Sequence, residues 1–170
     1  MRFPRLITFA AVSLLVVSRT SAVTMAWTPI VNPDNACDRQ APTVCYGSVG
    51  YSYSIGTYEV TNAQYVEFLN AKAKSDPLGL YDVDMSNSYP SYNSGHGEYG
   101  GIVRSGSAGN YTYAPIVGRE NMPVNHVTFF DATRFANWMN NGQGNGDTET
   151  GAYTLAGRDG DTEQLGRSDA

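Results

Sequence analysis

The sequence predicts an α+β domain in which two helices pack on short antiparallel strands. Three observations support this prediction: β-forming residues alternate with small polar ones near residue 50, two later stretches carry helix start signals, and nearly all glycines lie outside those stretches. The chain is also rich in tyrosine, with 12 among 170 residues. This composition is typical of a loop-rich domain in which aromatic rings pack inward and their hydroxyls reach the surface.

The first 22 residues are typical of an export signal. A short basic region is followed by an apolar run of 13 residues, Leu6 to Ser18, and then by small residues at positions 20–22. A membrane-spanning helix needs about 20 apolar residues, so this run is too short to span a bilayer. We expect a signal peptide over residues 1–22 and a secreted or periplasmic protein, with an uncleaved anchor as the alternative.

Removal of the signal would leave an acidic chain. Arg2, Arg5 and Arg19 would leave with it, so 11 basic residues become 8 (11 − 3) against 16 acidic ones, a net charge of −8 (8 − 16). The remaining 148 residues (170 − 22) contain no basic cluster and suffice for one domain with its own core. Neither nucleic acid nor a membrane is therefore an expected partner.

Two cysteines, Cys37 and Cys45, lie in an N-terminal arm over residues 23–45. In an exported protein such a close pair most often forms a local disulfide. The alternative is a metal-binding or redox-active thiol pair, but no histidine or third cysteine lies nearby in the sequence to complete a metal site. The sequence thus predicts a Cys37–Cys45 disulfide.

The first strand signal comes directly before the first helix signal. Val49, Tyr51, Tyr53 and Ile55 alternate with small residues, which predicts a half-buried strand that continues past a kink at Gly56.

A capping box then starts the first helix. The Thr61 hydroxyl can accept from the third helical amide while the Gln64 side chain reaches back, and the helix is expected to end near Lys74. Its apolar residues share one stripe, predicted to be buried: Tyr65, Phe68, Leu69 and Ala73.

Residues 78–101 form a long segment without clear periodicity. Loops of this length are usually functional or mobile, and the tyrosines and short polar residues of this one suit a protein or glycan partner. Asp82, Asp84 and Asn87 suggest a calcium loop, yet Asn87 occupies its glycine position and Asn93 the position of its bidentate acid. Calcium is therefore not expected.

Two simpler interpretations complete this region. His96, flanked by glycines, is interpreted as a loop histidine. The segments 101–104 and 111–117 flank a turn-rich sequence and predict a β-hairpin.

The second helix starts with another capping box, formed by Thr128 and Asp131. His126 lies just before it, but a catalytic His126–Asp131 pair would need a nucleophile or a metal, and the sequence offers neither here. We therefore expect His126 to be structural and name no catalytic residue. The helix should end near Asn140, with one buried apolar stripe: Ala132, Phe135, Ala136 and Met139.

Two blocks of the sequence resemble one family. IGTYEVTNAQYVEFLNA (residues 55–71) and MPVNHVTFFDATRFANWMN (residues 122–140) are similar to the opening half of the sulfatase-modifying factor domain, the family of the formylglycine-generating enzyme. The resemblance covers residues 46–155. It implies an irregular α+β domain related to the C-type lectin fold. In active members it implies oxidation of a sulfatase cysteine to formylglycine, with oxygen and a copper ion held by two cysteines of the C-terminal half.

The chain departs from this family pattern after the second helix. Blocks resembling R-L-P-T-E-A-E-W-E and R-G-G-S-W, and the cysteine pair that follows them, do not occur. Cys37 and Cys45 precede the domain and are not carried over as copper ligands, so no cofactor is expected. Within the second block, residues 128–132 replace the commoner Ser-Trp-x-Asp-Ala but keep the capping box.

The sequence therefore predicts an incomplete, truncated domain without catalytic activity of its own, followed by an extended and unpacked polar tail over residues 156–170. One alternative is a non-catalytic extracellular binding module. Another is part of an active oxidase whose C-terminal half is missing from this chain. In the incomplete domain part of the apolar surface has no cover, which predicts self-association.

Overall fold

The computed structural model describes residues 22–41, 44–86, 100–155, 157 and 166–167 of the chain. It is a mixed α+β structure with two α-helices and short antiparallel sheets, as predicted. A short 3-10 helix over Val83–Ser86 was not predicted. The helices are α1 (Asn62–Lys72) and α2 (Phe129–Asn140). The strands in chain order are β1 (Trp27–Ile30), β2 (Asp38–Ala41), β3 (Val44–Tyr46), β4 (Tyr53–Gly56), β5 (Ile102–Ser105), β6 (Thr112–Pro115), β7 (Tyr153–Thr154) and β8 (Gly166–Arg167).

Each sheet in the described part of the chain is a two-stranded antiparallel ribbon: β1–β4, β2–β3, β5–β6 and β7–β8. In the first ribbon Trp27 lies opposite Gly56, so the N-terminal arm pairs with the strand that precedes α1. The predicted half-burial of this strand is wrong. Tyr53 and Ile55 are both exposed: Ile55 borders an open cleft, and the Tyr53 ring contacts the ring of Tyr51, which is itself exposed.

Helix α1 contributes four residues to the apolar core, Tyr65, Val66, Phe68 and Leu69. Thr61 Oγ1 accepts from Gln64 N at 3.3 Å and Thr61 N donates to Gln64 Oε1 at 2.9 Å, so both halves of the capping box are present. The helix ends at Lys72, two residues earlier than predicted. The whole predicted stripe is buried, which confirms that prediction: Tyr65, Phe68, Leu69 and Ala73.

An aromatic cluster joins the two helices. The Phe68 ring lies 5.5 Å from that of Tyr65, 5.5 Å from that of Phe135 and 5.3 Å from that of Trp138, measured between centroids. Phe68 meets Phe135 edge to face, an arrangement that aromatic quadrupoles favour. Packing of α1 on α2 is therefore set by rings rather than by aliphatic ridges.

Helix α2 also begins with its capping box. Thr128 Oγ1 accepts from Asp131 N at 3.2 Å, and Asp131 Oδ2 accepts from Thr128 N at 3.2 Å and from Thr128 Oγ1 at 2.6 Å. The predicted buried stripe is wrong except at Phe135. Ala132 is exposed and Ala136 and Met139 are half-buried, whereas the buried face carries four polar side chains, Asp131, Thr133, Arg134 and Asn137, beside the rings of Phe130, Phe135 and Trp138.

The predicted hairpin is confirmed by the antiparallel pairing of β5 with β6. The expectation that tyrosine hydroxyls reach the surface is wrong for three core tyrosines. Tyr65 Oη donates to Leu80 O at 3.0 Å, and Tyr113 Oη donates to Ala73 O at 2.8 Å. Tyr81 Oη likewise donates to a carbonyl, that of Ile102. Burying these rings is tolerated because each hydroxyl keeps a hydrogen-bond partner.

Several predictions concern residues outside the described part of the chain. These are the signal peptide up to residue 21, the loop residues Asn87, Asn93 and His96, and most of the tail. Within the tail, Gly166 and Arg167 pair with β7, so the prediction of an unpacked tail is wrong at these two residues. No helix in the described ranges is long and apolar enough to cross a bilayer.

Candidate binding cleft

An open cleft of about 1210 Å³ lies between helix α2 and the β1–β4 ribbon. Its apolar side is formed by the α2 residues predicted to be buried: Ala132, Phe135, Ala136 and Met139. The opposite sides come from the N-terminal segment 23–27 and from residues 54–60, and Ala152 and Tyr153 close one end. Exposed aromatic rings of Trp27 and Tyr58 stand among these residues.

The cleft stays open because α2 turns its polar face into the protein. Arg134 is only 1% exposed, and its Nε donates to Glu149 Oε1 at 2.7 Å. Its Nη1 lies 3.9 Å from Asp131 Oδ1. A buried guanidinium needs such partners, since an unpaired charge away from water is costly. The ion pair therefore fixes the rotation of α2 and leaves Ala132 and Ala136 on the open side.

Asn137 is the second polar anchor of α2 and is fully buried. Its Nδ2 donates to Thr148 O at 2.9 Å and to Tyr153 O at 3.0 Å, and its Oδ1 accepts from Tyr153 N at 2.9 Å. One side chain thus satisfies three backbone groups of the segment that closes the cleft. A Cβ on Gly151 would lie 3.0 Å from Asn137 Oδ1, and the φ of 152° there is one that other residues rarely adopt, so this position favours glycine.

The N-terminal segment 23–26, here named the strap, is held by two glutamine side chains. Gln64 Nε2 donates to Thr24 O at 2.9 Å, so the capping residue of α1 also binds the strap. Gln143 Oε1 accepts from Val23 N at 2.6 Å, and its Nε2 donates to Val23 O at 2.8 Å. Thr24 and Met25 of the strap line both this cleft and a smaller cleft of about 510 Å³. Asn121 lines only the smaller cleft.

The cleft is nearly uncharged. Glu59 is the one ionisable acid or base of Asp, Glu, Lys, Arg or His type among the described residues that line it. Charged groups lie in the core near Tyr65 instead. Burial raises the pKa of the Tyr65 hydroxyl far above its usual value, and the nearby carboxylates of Asp131 and Asp76 raise it further. The Tyr65 hydroxyl therefore stays protonated near neutral pH. Its ring packs in the core and its hydroxyl donates a hydrogen bond to Leu80 O.

The loop after α2 carries a surface carboxylate with its own partners. The hydroxyl of Thr150 and the amide of Glu149 donate to Asp147, which lowers the pKa of that carboxyl below its usual value. Asn141 Nδ2 donates to Asp147 O at 2.9 Å and to Thr150 O at 2.7 Å. These bonds shape the loop that carries Glu149 to Arg134.

The other candidate residues lie away from the cleft. His126 is exposed and has a φ of 56°, the left-handed region, while Asp131 is engaged in its cap and near Arg134. Asp84 N donates to Asp82 Oδ1 at 2.8 Å at the start of the 3-10 helix. Within the described ranges no three His, Cys, Asp or Glu side chains are grouped so that they could hold a metal ion.

The cysteines lie on a hairpin outside the cleft. Cys37 directly precedes β2, and Cys45 lies in β3, where its Cα pairs with that of Arg39. The side chain of Cys45 lies outside the described part of the structure, so the disulfide stays a prediction.

Fold and cleft together define a small α+β domain whose second helix presents an apolar face to an open cleft. The model of the sulfatase-modifying factor enzyme 1-like domain matches residues 32–158, and the chain belongs to this family. The match begins at residue 32, inside the predicted N-terminal arm and after β1. Comparison with curated proteins and with solved structures gives no significant match. Kinship to C-type lectins and the exact domain boundaries therefore stay predictions.

Sequence reasoning missed the residues that position the cleft: Arg134, Asn137, Gln143 and Glu149. A usable signal was present, since Arg134 and Asn137 are three apart and would share one face of the predicted helix. The burial of Arg134 and Asn137 depends on the loop that follows the helix. The periodicity of the helix itself carries no information about that loop.

Proposed function

We propose that this chain is an exported, non-catalytic member of the family and that it binds an apolar segment of a partner protein in the cleft. The observation that carries this proposal is the apolar α2 face opposite the β1–β4 ribbon. Unpartnered apolar surfaces of this kind normally mark interaction sites. Uncovered apolar surface also underlies the expected self-association, which is therefore one outcome of the test below.

The dimensions and charge of the cleft favour a peptide as its occupant. Small-molecule sites measure roughly 300–1,000 Å³, and this cleft of about 1210 Å³ is larger. Strand β4 pairs with β1 alone among the described residues, so its second edge offers backbone groups to an added strand. Glu59 and the acidic mature chain favour an apolar peptide that is neutral or basic.

The residues of the cleft suit such an occupant. Met139 is flexible and adapts to irregular apolar surfaces, while Trp27 and Tyr58 offer large rigid rings of the kind that anchor interfaces. A partner through the loop 78–101 also stays a proposal, because residues 87–99 lie outside the described part of the structure.

Charge placed in the cleft tests the proposal. Ala132 is exposed and lies on the α2 face of the cleft, so Ala132→Arg should fill the cleft without disturbing the core. The matched control is Val117→Arg, at a residue that is 92% exposed and outside the cleft lining. The probes are the neutral dye Nile red and an array of neutral and basic apolar decapeptides.

We expect dye and peptides to bind the wild-type chain and the control but not Ala132→Arg. Equal binding by all three proteins would place the binding surface elsewhere and contradict the proposal. A dye signal that depends on protein concentration, together with a larger species in sedimentation, would instead identify a second copy of the chain as the occupant.

Absence of catalysis is proposed because the two cysteines lie in the arm before α1 rather than in the family's later half. The purified chain should form no formylglycine on a sulfatase-derived cysteine peptide, with or without copper. The family match favours one competing function, that of part of a formylglycine-generating oxidase. Copper-dependent turnover that survives replacement of both cysteines by alanine would establish that function instead.

Export and the disulfide are proposed together. Support comes from the signal-like sequence of residues 1–22 and from the β2–β3 pairing, which brings the two cysteine-bearing segments side by side. Mass spectrometry of non-reduced, exported protein should show a linked Cys37–Cys45 peptide pair. Two alkylatable thiols in that protein would contradict the disulfide.

A further inference from the structure

The strap is the place where the predicted signal cleavage meets the fold. Ala22 is exposed, whereas Val23 is only 8% exposed and belongs to the core cluster. The predicted cleavage after Ala22 therefore lies between an exposed residue and a buried core residue.

Gln143 binds both backbone polar groups of Val23. The two hydrogen bonds described above, of 2.6 and 2.8 Å, use the oxygen and the nitrogen of one side-chain amide. The backbone of Gln143 is itself fixed, since its N–H donates to Trp138 O at 2.8 Å. Its φ of 64° lies in the left-handed region, which a glutamine rarely adopts. Gln143 is thus held in place after α2, and the oxygen and nitrogen of its side-chain amide both bind the backbone of Val23. It forms a preorganised binding site for that backbone.

We propose that the Gln143 side chain is the binding site for the mature α-amino group, created at Val23 when the signal is removed. This inference rests on the proposed export. Hydrolysis of the Ala22–Val23 bond by a signal peptidase consumes one water and leaves a carboxylate on Ala22 and an α-ammonium group on Val23. The carboxylate leaves with the signal, and the ammonium keeps one N–H on Gln143 Oε1.

The surroundings accommodate this charged group. Ala22, which precedes the amino group, is exposed, so the chain reaches solvent directly before Val23 N. Glu59 lines the same cleft as Val23 and adds a negative charge to it. The strap also forms one wall of the cleft, through Val23, Thr24 and Met25. Seating of the new N-terminus on Gln143 therefore completes the proposed binding site.

Reactivity of the α-amine tests this inference. The full chain is expressed in a secreting host, and the exported product is sequenced from its N-terminus and treated with an amine-acylating reagent near neutral pH. Gln143→Leu removes the amide, and Gln143→Asn keeps an amide that is too short, at a position where asparagine tolerates the left-handed φ. The matched control is Asn145→Ala, in the same loop and exposed.

We expect the exported chain to begin at Val23. Its α-amine should react roughly tenfold more slowly in the wild type and in Asn145→Ala than in either Gln143 variant, a factor in the range expected for the loss of the one hydrogen bond from the amino group to Gln143 Oε1. Equal rates in all four proteins, or a different first residue, would overturn the inference while leaving export intact. A chain that is neither exported nor cleaved would overturn the proposed export as well.

Discussion

Helices α1 and α2 are of similar length and start with the same kind of capping box, and both bury aromatic rings, yet only α2 buries a charged residue against the loop that follows it. Helix α1 buries a continuous apolar stripe, as its sequence predicts. Helix α2 buries Arg134 and Asn137 and turns Ala132 and Ala136 toward the open cleft. The difference shows that an apolar stripe fixes the rotation of a helix only where no buried polar anchor on the same helix opposes it.

Removal of the charged anchor of α2 should have the largest effect. Arg134→Ala leaves Glu149 and the buried Asp131 without their cation, and breaking a buried pair in this way costs about 3–5 kcal/mol. Urea unfolding measures the loss. The paired control Arg134→Met/Glu149→Gln should recover most of the stability. If the single and double variants were equally stable, the ion pair would not hold α2.

The amide anchor should come next. Asn137→Ala loses three hydrogen bonds, at about 0.5–1.5 kcal/mol each, so we expect a loss of about 1.5–4.5 kcal/mol. Exposed Asn140, on the same helix, is the matched control and should change stability by less than about 0.5 kcal/mol when replaced by alanine. Hydrogen exchange at the Tyr153 amide should accelerate in the first variant only. Unchanged exchange there would contradict the bond to Asn137.

Both helices start with a capping box, so the same substitution can be made at each helix start. Thr61→Ala and Thr128→Ala should each cost about 0.5–2 kcal/mol in a cooperative unfolding transition. The loss should be greater at Thr128, whose hydroxyl also donates to Asp131 Oδ2 at 2.6 Å. Neutral results for both variants in a two-state melt would show that the capping boxes do not stabilise these helix starts.

The smallest expected effect is at alkaline pH. Burial, followed by the nearby Asp76 carboxylate, raises the pKa of Tyr113 to about 12. Tyrosine in the unfolded chain titrates near pH 10, so between about pH 10 and 12 the unfolded chain binds fewer protons and stability falls as pH rises. Tyr113→Phe should flatten this decline in a series of urea curves. An equally steep decline in the variant would assign it to other groups.

Local signals predicted local structure well. Both helix starts, the buried stripe of α1 and the β5–β6 hairpin follow from residues close in sequence, so pattern and capping chemistry suffice for them. Pairing of β1 with β4 was not predicted, since it joins Trp27 to Gly56 across the cysteine-bearing hairpin. Contacts of this kind depend on chain closure rather than on periodicity.

The cleft was the least predictable part for the same reason. Its open face exists because Glu149, in a loop after α2, reaches Arg134, and because Gln143 binds Val23 at the other end of the chain. Each partner alone looks like an ordinary surface residue. Only the assembled geometry turns them into anchors, and the alanines of α2 into a binding surface.

The two tryptophans lie in contrasting surroundings, and this gives the molecule two optical reporters. Trp138 is buried between the helices and its indole N–H donates to Gly144 O at 3.0 Å, while Trp27 is exposed on β1 at the rim of the cleft. Emission from Trp138 should be blue-shifted and follow unfolding of the core. Emission from Trp27 should be red-shifted and change when the cleft is filled. Folding and occupancy can thus be read separately in one unlabelled sample, with Trp27→Phe isolating the signal of the core.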